Sequence, residues 1–158
     1  MIPGPASSEQ AEPARGNTGG LFCAAPSHLK APLKFILSAA ELRATLIPSD
    51  APSACCCAIG ACPGWESLAE YRWEAGQMTP VATLCDPALE DATLEEKHPQ
   101  GTRYDSADAP VAIKFFPYNR SEVWHCSRCD RHLLRYTEFG GYNVDPRVRA
   151  LDPAKLID

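Results

Sequence analysis

The sequence predicts a single loop-rich α+β domain built on a small antiparallel sheet, and three observations carry that prediction. A chain of 158 residues, 45% of them hydrophobic, is long and apolar enough for one ordinary core. Its 15 prolines and 10 glycines interrupt long helices and favour turns. Runs of β-favouring residues concentrate in the last third, around Cys126-Ser127-Arg128-Cys129.

Residues 1–28 are rich in Pro, Ala, Gly, Ser and Glu, a composition that rarely builds a core, and are expected to form a disordered arm. Residues 29–158 are expected to form the folded domain. Leu33-Lys34-Phe35-Ile36-Leu37 reads as a short strand. Ser38 with Glu41 three residues on makes a capping box for a helix that runs to about Leu46 and stops before Pro48. From Ser49 to Gly64 the pattern fits either a buried strand of small residues or a loop.

Val81-Ala82-Thr83-Leu84 predicts a second short strand, and Asp86-Pro87 signals a helical turn with Leu89 and Leu94 inward. Beyond Thr102 the expectation is a β-meander over 111–116, 122–125 and 133–139, broken by Pro117-Tyr118-Asn119, by the CxxC and by a Gly140-Gly141 turn of positive φ. Asp145-Pro146 predicts a closing helix through Leu151.

The CxxC, in Trp124-His125-Cys126-Ser127-Arg128-Cys129-Asp130-Arg131-His132, is the strongest chemical signal. Two thiolates separated by two residues turn tightly around one ion, and a hairpin of about 119–145 with that turn at its tip is a zinc-ribbon-like half-site. One structural Zn2+ is the expected cofactor. A structural zinc takes four ligands, so Cys126 and Cys129 need partners. Cys57 and Cys62 are one source; histidine is the other, with His132 nearby and His98 or His125 as further choices. Competing readings are cysteines as small buried hydrophobes and a redox dithiol, the latter disfavoured because a strand pattern, not a helix, follows the first cysteine. His125 cannot pair with the adjacent Cys126, since neighbours on a strand face opposite ways. Cys23 and Cys85 stand apart from the other cysteines and read as core or free thiols.

Net charge is −5, and residues 111–158 hold eight basic against six acidic side chains, so the acidic excess lies upstream. So slight a basic bias argues against nucleic acid, which demands dense positive patches. Apolar runs are all too short for a membrane helix, and Met1-Ile2-Pro3-Gly4-Pro5 lacks both a basic n-region and an apolar h-region, which predicts a cytoplasmic protein. Glu95, Glu96 and His98 before Pro99 read as an acidic solvated turn.

Asn119 to Cys129, followed by Leu134-Arg135-Tyr136-Thr137-Glu138-Phe139-Gly140-Gly141-Tyr142 and Arg147-Val148-Arg149-Ala150-Leu151, resembles a group of uncharacterised bacterial proteins with a zinc-ribbon-like C-terminus. The resemblance spans roughly residues 86–158. Similar sequences carry a cysteine in place of Ser121, so a ligand role there is lost in this chain. It implies a bacterial cytosolic origin and the fold of the last third, and it names no activity.

Nothing outside the CxxC assembles a catalytic set. The expected function is therefore a zinc-stabilised binding protein acting on a protein partner through Arg131, Arg135 and Tyr136, with an immunity protein that neutralises a toxin as one form of it, and whether the chain is an enzyme stays open. The alternatives are a zinc-dependent hydrolase or thiol-based enzyme with an open metal position, and a nucleic-acid-binding zinc ribbon.

Overall fold

A computed structural model describes residues 32–46 and 57–158. The arm expected at 1–28, and Cys23, Cys55 and Cys56, lie outside the described residues.

Eight strands and one α-helix are present among them: β1 (Lys34–Phe35), α1 (Ala39–Thr45), β2 (Glu66–Ser67), β3 (Met78–Thr83), β4 (Val111–Ala112), β5 (Glu122–Cys126), β6 (His132–Gly140), β7 (Asn143–Ala150) and β8 (Leu156–Ile157). Six strands form one sheet in the order β1-β3-β5-β6-β7-β2, and β4 pairs with β8 separately. Pairing in the large sheet is antiparallel except for β1 beside β3. The α+β class with a mostly antiparallel sheet is thus present, and no helix among the described residues is long and apolar enough to cross a membrane.

Helix α1 starts as its capping signal requires. The Ser38 hydroxyl oxygen accepts from the Glu41 N–H at 3.1 Å, and the Glu41 carboxylate reaches back to the Leu37 N–H at 2.9 Å. Ala39 and Leu42 then face the core. Strand β3 begins three residues ahead of the expected run and contains Pro80. Its outer neighbour β1 reaches only Ala82 and Thr83, so Pro80 lies where no second ladder needs its missing N–H.

Two helix-start signals lead elsewhere. After Asp86-Pro87 the chain makes only a turn, with the Asp86 carboxylate accepting from the Ala88 N–H at 2.8 Å, and Leu89 and Leu94 are exposed instead of inward. A cap without an apolar face to bury does not sustain a helix. The segment after Asp145-Pro146 is strand β7, not a helix. The Gly141-Tyr142 turn, with Gly141 at φ +56°, sends the chain back along β6, and an eight-residue ladder from Gly140↔Asn143 to Leu133↔Ala150 overrides the local preference. Asp-Pro capping operates one step later, where the Asp152 carboxylate accepts from the Ala154 N–H at 3.0 Å and opens the short 3-10 turn Pro153–Lys155. The expected strand 111–116 is limited to β4.

Alternation along the strands divides the interior in two. Ala82, Val123, Leu134 and Tyr136 join one core with α1, Trp65, Val111, Ile113, Tyr118 and Leu156. Met78, Trp124, Cys126, Leu133, Val148 and Ala150 join the other with Cys57, Ile59, Cys62, Leu68 and Trp73. The sheet is therefore buried on both faces, and the metal-binding candidates share the second.

Candidate metal centre

Cys126 is the last residue of β5 and, two residues from Trp124, projects into the second core, where it is 1% exposed. The chain then reverses through Ser127 and Arg128. Cys129 and Asp130 both donate backbone N–H bonds to the Cys126 carbonyl, at 3.3 and 2.8 Å, and the Cys126 N–H bonds the Arg131 carbonyl at 2.9 Å. Asp130 adopts the left-handed region at φ +55°, which lets the turn close and β6 begin. Ser127 ties the knuckle to the Gln77 carbonyl through both its N–H and its hydroxyl.

Cys57 arrives from the opposite side, on a loop that turns at Gly60 (φ +81°). Its sulfur lies 3.6 Å from that of Cys126 and 3.8 Å from that of Cys129. A disulfide would bring a pair to about 2.05 Å. Four ligands about 2.3 Å from a zinc at tetrahedral angles stand about 3.8 Å apart, close to the two distances from Cys57, and all three sulfurs lie within 4.8 Å of one another. The group of Cys57, Cys126 and Cys129 can hold a metal ion. Cys57 and Cys126 are buried and Cys129 half-buried.

Two arginines hold this loop, Arg72 from the 3-10 turn Glu70–Arg72 and Arg131 from the knuckle. Arg72 donates to the Ala58 carbonyl at 2.8 Å and the Ile59 carbonyl at 2.6 Å. Arg131 donates to the carbonyls of Ala61 at 3.1 Å and Gly60 at 2.8 Å, while its Nε–H meets the Cys129 sulfur at 3.4 Å. Neither arginine carries a sequence signal for this role, because their partners are backbone carbonyls of a loop distant in the chain.

The other ligand candidates are held apart from this group. Cys62 is buried in the same core, yet its thiol donates to the Ile59 carbonyl at 3.1 Å within its own tight turn, where Cys62 sits at φ +44°. Burial, with Glu66 nearby, pushes that thiol up to about 11. His132 is on the opposite face of the sheet from Cys126, opposite His125 in register and 5.1 Å from it ring to ring. Burial first, then His125, lowers its pKa to about 4, so it is a neutral imidazole. His98 pairs with Glu96 at 2.6 Å and is outside the thiol group. Cys85, which reads as a core or free thiol in sequence, is disulfide-bonded, a bond that oxidising compartments favour.

The residues expected to meet a partner are turned inward. Tyr136 is 4% exposed, packed edge-on to Trp65 at 4.8 Å. Arg135 lies 4.4 Å over the Trp73 ring and pairs with Glu70 at 2.9 Å. Arg131 is engaged with the thiol loop. Of the exposed large apolar side chains among the described residues, Phe139, Tyr142 and Val144 share the far end of the β6–β7 hairpin from the cysteines, while Leu37, Tyr71, Leu89 and Leu94 are elsewhere.

No protein family, curated protein or solved structure matches the chain.

Proposed function

We propose that the chain is a zinc-stabilised binding protein, in which Cys57, Cys126 and Cys129 hold one structural Zn2+ and the β5–β6 turn acts as a zinc-ribbon-like half-site. The approach of the Cys57 sulfur to within 3.6 and 3.8 Å of those of Cys126 and Cys129, 69 and 72 positions away, carries this reading. Soft thiolate ligands favour zinc among common divalent ions. Among the described residues the group contains thiols alone, with no carboxylate or imidazole, which supports a structural centre over a hydrolytic one.

The binding role falls to the β6–β7 arm, which offers Phe139, Tyr142 and Val144 to a protein partner. The arm's charges are mutually engaged, Arg147 with Glu138 and Asp145 at 2.9 Å each, which leaves no positive field for a polyanion. Elemental analysis of untagged full-length protein tests the zinc centre. About one zinc per chain, absent from Cys57→Ser, Cys126→Ser and Cys129→Ser, is expected. A wild-type chain without metal, or one that keeps it in all three variants, contradicts the reading.

A further inference from the structure

We propose that Arg131 is a positioning residue of the thiolate centre, a side chain that couples the CxxC knuckle to the loop bearing Cys57. This rests on the metal-centre reading above. The residue meets each of the three cysteines by a different route. Its carbonyl accepts the Cys126 N–H at 2.9 Å. Its Nε–H points at the Cys129 sulfur at 3.4 Å. Its two terminal nitrogens bind the carbonyls of Gly60 and Ala61, in the loop that carries Cys57. A planar guanidinium makes these three contacts at once, which a lysine ammonium on a flexible stem does not.

The chemistry explains why such a contact belongs there. Three thiolates around a divalent cation leave one excess negative charge in a half-buried site, and a guanidinium against one sulfur offsets it. The hydrogen bond withdraws density from Cys129 and fixes its direction, while the carbonyl contacts hold Cys57 within reach. Arg72 supplies an internal control. It fastens the Ala58 and Ile59 carbonyls of the same loop through hydrogen bonds to backbone oxygen.

The test uses the full chain loaded with Co2+, whose thiolate-to-metal charge-transfer band reports the electron richness of the sulfurs. Arg131→Gln is expected to move that band to lower energy and to speed cobalt release to excess chelator by about tenfold or more. Arg131→Lys, which keeps the charge, should shift the band in the same direction and serves if the glutamine variant fails to fold. Arg72→Gln should leave the band in place. A band unmoved in both Arg131 variants, with release no faster than in Arg72→Gln, overturns the assignment. Wild-type protein that takes up no cobalt instead removes the metal centre itself, a distinct outcome.

Discussion

The two faces of the large sheet are closed by different means. The first is covered by α1, by β4 and β8 and by large side chains such as Leu42, Trp65, Ile113 and Leu156, with one buried arginine, Arg149, donating to the Tyr118 hydroxyl and the Ala109 carbonyl. The second is covered by residues 57–62 and 68–77, which lie on either side of the edge strand β2 and contain only two 3-10 turns (Glu70–Arg72, Ala75–Gln77) and irregular backbone. Its buried contributors include three cysteines, and two arginines bind four successive carbonyls, those of residues 58–61. A segment with so little regular structure has few ladder hydrogen bonds to keep it in place. Polar clamps and a proposed metal act there in place of the helix and the paired strands that close the other side.

Leu133 and Leu134 offer the sharpest way to break this comparison, because they are adjacent, both fully buried, and on opposite faces. Alanine at either position should cost roughly 2–5 kcal/mol in chemical denaturation. Only Leu133→Ala, which hollows the cysteine side, should also hasten metal release. Equal release from the two variants would mean that the faces are not separate. Gly64, where the chain passes from one face to the other, gives the next effect. A Cβ there would stand 2.3 Å from the Asp105 carbonyl oxygen, close to the point where the Trp65 N–H binds that same oxygen at 3.1 Å. Gly64→Ala is expected to destabilise by roughly 1–3 kcal/mol, read as a lowered melting temperature. The smallest effect lies on the arm, which belongs to neither face. Gly141→Val strains a φ of +56° with open space around it and should cost about 1 kcal/mol, with metal content unchanged.

Sequence reasoning reaches furthest where the signal is local. The Ser38–Glu41 cap, the β5–CxxC–β6 hairpin and the Gly141 turn all depend on residues within a few positions of each other. It misreads Asp145-Pro146, because the preference of that dipeptide for a helix start is weaker than a ladder supplied by β6. Tyr136 was expected at the surface for a related reason. In a sheet buried on both faces, alternation still separates Leu133 from Leu134 but does not reveal that neither side meets water. The choice between Cys57 and Cys62 was illegible as well. It depends on a turn between them and on arginines that reach in from 13 or more residues away, Arg72 to Ile59 and Arg131 to Gly60.

The most direct test of the central claim is hydrogen exchange on the full chain with and without a metal chelator. The account predicts that chelation speeds exchange, by about tenfold or more, at the amides that fasten the cysteine side: Gly60 to Cys57, Ser127 to Gln77 and Ala150 to Cys62. The amides of Leu84 and Ile113, bonded to Ser121 and Ile157 against the aliphatic core, should keep their protection. Unchanged exchange everywhere, or equal loss on both faces, would contradict a metal that closes one face of the sheet.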